Sequence, residues 1–106
     1  MAGTLKFALQ IYCVAAMFYY IYILQSLKNN SLYIGYTSDL KKRFKEHNSG
    51  LSKATKPFLP YKLIFYEAFL DRIDAKNREV YLKGGYRRKT INKLIRKYLK
   101  PEDSNG

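Results

Sequence analysis

Phe18-Tyr-Tyr-Ile-Tyr-Ile-Leu24 and Leu32-Tyr-Ile-Gly-Tyr36 are two aromatic, β-branched runs separated by the polar segment Ser26-Leu-Lys-Asn-Asn-Ser31. Such density suits buried strands, because branched and ring side chains pack well on a pleated surface. The Asn29-Asn30 pair suits a turn that needs positive φ, so the runs read as an antiparallel hairpin with a first strand over residues 18–25. Tyr22 and Tyr33 can then emerge on one face of the sheet. Thr37-Ser-Asp39 supplies oxygens that cap exposed amides and starts a helix over 40–48. Gly50 is its stop, and Leu40, Phe44 and His47 form one stripe. Ser49 to Tyr61, with Pro57 and Pro60, reads as loop, and Lys62 to Phe69 as the third strand. Asp71 caps a second helix that ends at Gly84-Gly85. Thr90 opens a third, whose apolar face is Ile91, Leu94, Ile95, Tyr98 and Leu99. The order β-β-α-β-α-α defines an α+β domain: a small three-stranded antiparallel or mixed β-sheet flanked by about three helices.

The chain has 106 residues and 47 % hydrophobic content, enough for one domain with its own core. Cys13 is the lone cysteine and His47 the lone histidine, which excludes an internal disulfide and a Cys/His zinc cluster. A reducing, cytoplasmic location is the default. Twenty Lys and Arg against eight Asp and Glu leave a net charge of +12, which points to a polyanionic partner. Eight basic and no acidic residues lie from Lys83 to Lys100, and Lys41, Lys42, Arg43 and Lys45 cluster earlier.

Phe7 to Leu24 is apolar apart from Gln10, the lower limit of length for a membrane span. With Lys6 and the small pair Ala15-Ala16, it also faintly resembles a secretion signal. Its second half is too rich in strand formers for either, so the run divides near Met17. Residues 1–17 become an apolar extension, 18–100 the domain and 101–106 a flexible polar tail. Met17 is a candidate natural start, which would leave the first sixteen residues outside the native chain. No membrane partner is expected.

The layout assembles a carboxylate, a guanidinium, two phenols and an imidazole. Arg43 and His47 are four apart on one helix, and Glu79 precedes Lys83 by one turn of the next. Metal-assisted phosphodiester cleavage uses this set. A carboxylate holds a hard cation, a guanidinium matches phosphate oxygens, and a phenol or imidazole deprotonates water. Each also has a plain structural use. The tyrosines suit a strand, Arg43 a solvated helix, His47 a core stripe, and Glu79 an ion pair with Lys83.

Tyr20-Ile21-Tyr22, a short hairpin, then Tyr33-Ile34-Gly35 resemble the paired signature of the GIY-YIG nuclease superfamily. The continuation Tyr36-Thr-Ser-Asp-Leu-Lys-Lys-Arg-Phe-Lys-Glu-His-Asn-Ser-Gly50 and the run Asn77-Arg-Glu-Val-Tyr-Leu-Lys83 resemble its short single-domain members. The resemblance covers residues 18–100 and extends to the N-terminal nuclease domain of the excision-repair nuclease. It implies a divalent-metal-dependent endonuclease that hydrolyses DNA, with DNA repair as one setting. Tyr22 and Tyr33 match the signature tyrosines, one positioning or deprotonating water. Arg43 matches the arginine on the scissile phosphate, His47 a second base position, and Glu79 the single ligand of one Mg²⁺ or Mn²⁺ ion. Gly35 matches a glycine where a side chain would crowd substrate or backbone.

Two positions depart from the pattern. Tyr20 replaces the first motif's glycine, and Tyr36 stands where excision-repair relatives carry a lysine. Asn92 is a weak match to a polar position of some relatives. Lys83, Arg87, Arg88 and Lys89 are expected to grip flanking backbone without reading sequence. Specificity then comes from substrate shape or a protein partner, and DNA is expected over RNA. The alternative is a nucleic-acid-binding protein that keeps the fold and charge but cleaves nothing.

Overall fold

The computed structural model describes residues 17–85 and 87–100. The expected extension before Met17 and tail from Pro101 lie outside the described residues. Strands β1 (Tyr19–Ser26), β2 (Leu32–Thr37) and β3 (Tyr61–Phe69) make one sheet in the order β2-β1-β3. Both pairings are antiparallel, and the β1–β3 register slips between Ile23 and Leu24. The β1–β2 turn takes the left-handed conformation at Asn30 (φ 63°), as the Asn-Asn pair implied.

Helix α1 (Leu40–Asn48) starts on Asp39, whose side chain accepts from the Lys42 amide. It ends in a Schellman arrangement: the Gly50 amide reaches the His47 carbonyl at 3.1 Å and Leu51 that of Glu46 at 3.1 Å. Gly50 sits at φ +82°, where a Cβ would be strained. Helix α2 (Arg72–Lys83) is capped by Asp71, which accepts from the Ile73 and Asp74 amides.

Alternation along β1 divides the core between the two faces of the sheet. Ile21 and Ile23 join Ile34, and α2 covers this face with Ala75 and Leu82, together with Ile91 of α3 (Arg87–Leu94). Tyr22 and Leu24 point the other way, where Tyr61, Leu40 and Phe44 pack on them. Six residues of the first face are 0–3 % exposed, so each contributes roughly 1.5–3 kcal/mol if it is a large aliphatic. The second face is covered by a nine-residue helix and the loop after it.

Several boundaries differ from the sequence expectation: β1 spans 19–26 rather than 18–25, and β2 runs on to Thr37. β3 starts at Tyr61 rather than Lys62, because the Asn48 amide bonds both backbone groups of Tyr61 (2.9 and 2.8 Å). The third helix starts at Arg87, so Thr90 lies inside it and does not open it. It is also interrupted at Ile95 (φ −130°, ψ 40°) before a short α4 (Arg96–Leu99), giving four α-helices among the described residues. Residues 83–100 contain no acidic side chain, so no i,i+4 ion pair bridges the break. No helix of the described residues is long and apolar enough to cross a membrane.

Candidate active site

The hairpin register places Tyr22 opposite Gly35 and Leu24 opposite Tyr33, so both phenols rise on one face, ring centroids 6.4 Å apart. Gly35 is needed for space. A Cβ built there would stand 2.3 Å from both Cζ and the hydroxyl of Tyr22, so the Tyr22 ring crosses directly over its backbone. The ring is 2 % exposed.

Helix α1 brings His47 to the far side of that ring. His47 is fully buried, with Nε2 2.8 Å from the Tyr22 hydroxyl and Nδ1 2.8 Å from Oγ1 of Thr55. The Thr55 hydroxyl is in turn directed at the Ser52 carbonyl, 3.5 Å away. With that proton on Ser52, Thr55 accepts from Nδ1–H, and Nε2 keeps a lone pair for the Tyr22 O–H. A buried chain therefore runs from Tyr22 through His47 and Thr55 to the backbone, and among the described residues it leaves no buried side-chain polar atom unpaired. Tyr33, partly exposed with its ring 5.0 Å from His47, has no hydrogen-bond partner on its hydroxyl among the described residues.

Burial pushes the Tyr22 phenol up to about 12, although the neighbouring Arg43 guanidinium favours its ionised form. Burial pulls His47 down to about 4, and the Arg43 charge adds to that. Desolvation opposes the Arg43 charge, but contact with Tyr22 and Glu46 outweighs it and pushes that pKa up. Arg43 also holds Glu46 at 3.2 Å on one side. At neutral pH the cluster is thus a protonated phenol, a neutral imidazole and a guanidinium.

Glu79 arrives from the other direction. Its helix α2 packs on the Ile21–Ile23 face, opposite α1. Its charge still acts on the Tyr22 phenol and helps raise it. Lys83 holds its carboxylate at 3.0 Å. The side chain of Glu79 is 22 % exposed, so solvent reaches it. Among the described residues no group of three or more His, Cys, Asp or Glu could enclose a metal. A lone accessible carboxylate fits a hard cation that takes its remaining ligands from water and a phosphate, the habit of Mg²⁺.

The other positions singled out in the sequence lie outside this cluster. Tyr36 faces α2, stacks on Tyr19 at 6.4 Å, and carries the Lys76 ammonium 5.1 Å over its ring. Arg87 donates to the Leu32 carbonyl at 3.1 Å, and with Arg88, Asn92 and Lys100 it lines a groove of about 670 Å³ beside the start of β2. Lys89, Asn92, Lys93 and Arg96 line an adjoining cleft of about 350 Å³. Thr55 and Asn48 were not foreseen. The loop that carries Thr55 has no periodic pattern, and only its proximity to His47 in the fold makes Thr55 matter.

Strand order and helix placement define a small α+β domain whose Tyr22 ring crosses Gly35. Residues 18–92 match the model of the GIY-YIG catalytic domain, and the chain belongs to the GIY-YIG family. Membership implies a nucleic-acid substrate. The chain is 39 % identical over 85 residues to a UPF0213 protein of Clostridium perfringens, covering 79 % of this chain and 90 % of that one. It is 48 % identical over 63 residues to the UPF0213 protein YazA of Bacillus subtilis, covering 58 % and 64 %. A solution NMR structure of a UPF0213 protein from Bacillus halodurans aligns with TM-score 0.47 and 33 % identity, over 74 % of this chain and 86 % of that one.

Proposed function

We propose that residues 18–100 form a divalent-metal-dependent endonuclease that hydrolyses DNA phosphodiester bonds. The observation that carries this is the Tyr22–His47–Thr55 chain, two 2.8 Å hydrogen bonds that hold one phenol beside Tyr33 and Arg43. Arg43 binds the scissile phosphate through parallel N–H donors. Tyr33, whose hydroxyl has no partner among the described residues, orients the attacking water. The Tyr22 oxygen takes up a proton from that water as its own passes to His47 Nε2, so the imidazole accepts the proton through Tyr22. Glu79 would hold one Mg²⁺ or Mn²⁺ ion once Lys83 released its carboxylate, and such an ion would supply positive charge to offset that growing on the phosphate.

Arg87, Arg88 and Lys89 hold flanking phosphates without reading bases. Sequence preference is therefore low, or supplied by substrate shape or a protein partner. A reducing, cytoplasmic location is compatible with the lone Cys13. The test is a labelled panel of duplex, forked and single-stranded DNA with Mg²⁺, Mn²⁺ or EDTA. Wild type should nick in either metal. Glu79→Ala should stop nicking while leaving salt-sensitive binding. Binding without cleavage across the panel would instead establish a binder that cleaves nothing. One observation favours that second reading: the carboxylate is already neutralised by Lys83, and its helix packs on the sheet face opposite α1.

A further inference from the structure

Tyr20, the residue that replaces the first motif's glycine, has no part in the cluster described above. It lies on the Tyr22 face of the sheet, opposite the small Ala68, while Tyr66 is paired with Tyr22 itself. The Tyr20 and Tyr66 rings are therefore diagonal neighbours, centroids 6.0 Å apart and inclined at 64°. Helix α1 and its loop cover Tyr22, Leu24 and Tyr61 but stop short of this end, and Tyr66 is 53 % exposed. Between Tyr20 and the first turns of α1 runs a cleft of about 530 Å³, floored by Phe44 and Leu63 and rimmed by Lys41 and Asp39. Asp39 already spends an oxygen on the Lys42 amide.

A ring pair serving stability alone would be buried, since only removal from water makes its area count. In this pair Tyr66 is exposed and Tyr20 only partly buried; it sits on the sheet face covered by the helix that carries Arg43, in a chain of net charge +12. We propose that Tyr20 and Tyr66 form a stacking subsite for an unpaired nucleobase on the strand bound at Tyr22, Tyr33 and Arg43. The proposal rests on nucleic acid being the substrate there. Every base offers a π-face, so stacking holds a strand without reading its sequence, and Lys41 neutralises a neighbouring phosphate. A base inside a duplex has both faces already occupied. The subsite thus selects single-stranded, flapped or frayed substrates over uninterrupted duplex.

Fluorescence anisotropy in EDTA separates binding from cleavage, using the full chain with a short single strand and the duplex of the same sequence. Tyr66→Ala alters an exposed ring, and circular dichroism confirms its fold. It should weaken single-strand binding about tenfold while leaving duplex affinity unchanged. Tyr66→Phe should behave as wild type. A 2-aminopurine placed in the single strand should be quenched by wild type and less so by Tyr66→Ala. Equal losses on both substrates, or none on either, would overturn the subsite alone. If wild type binds neither substrate, the nucleic-acid activity at Tyr22 fails with it.

Discussion

Gly35 shows how one missing side chain places another residue. The Tyr22 ring lies where a Cβ at position 35 would be, 2.3 Å from its hydroxyl. Gly35→Ala must therefore push the ring away or bend β2. Single-turnover cleavage should fall about a hundredfold, the scale of a misplaced catalytic group. Urea unfolding should also show a loss of about 1–3 kcal/mol from overpacking. His47 makes a prediction in pH. Its folded pKa of about 4 lies below its unfolded 6.5, so the unfolded chain binds the proton more readily in between. The stability from burying neutral imidazole is complete above 6.5 and is lost as pH falls from there through about 4. Urea midpoints across that window should fall more steeply for wild type than for His47→Asn. Parallel slopes would mean that His47 is not held neutral. Tyr22 works in the opposite sense: raised to about 12, its contribution is present below 10 and is lost as pH rises through 12.

At the scale of elements, the loop after α1 is part of the site. Thr55 reaches His47 from it, Asn48 clamps Tyr61 where β3 begins, and Ser26 donates to the Phe58 carbonyl at 2.6 Å. Asn48→Ala should cost about 2 kcal/mol in urea denaturation, from two lost hydrogen bonds to backbone. A cost near zero would show that the loop is held by other contacts. The hairpin, both caps and the Gly50 stop were legible because period-two alternation, Asx oxygens and positive φ are local properties. The fully buried His47 was half legible: its stripe predicted packing, but its partner Thr55 lies in a loop that no pattern marks. The start of the third helix was misplaced because Arg87 to Lys89 carry no apolar periodicity. Least legible was the placement of α2. Spacing put Glu79 on a helix, whereas the side of the sheet that helix covers depends on Ala75 and Leu82 seeking Ile21 and Ile23.

Over the whole molecule, charge and site are organised separately. The cleft residues Arg88 and Lys89 lie beyond the phenol cluster on α3, among eight cations that no acid interrupts. Each phosphate contact adds about 0.9 to the slope of log affinity against log salt on duplex DNA. Replacing both Arg88 and Lys89 by Gln should therefore reduce that slope by about 2, while Glu79→Ala leaves it unchanged. An unaltered slope in the double variant would remove this face from the binding surface. The proposed mechanism requires Glu79, on a helix that packs against the opposite face of the sheet, to serve the same step as Arg43. Residues acting in one step lose rate non-additively. The deciding measurement is single-turnover DNA cleavage in Mn²⁺ by wild type, Glu79→Ala, Arg43→Ala and the double variant. A shared site predicts a double variant no slower than the worse single one. Losses that multiply independently, or a wild type that cleaves nothing in any metal, would contradict it.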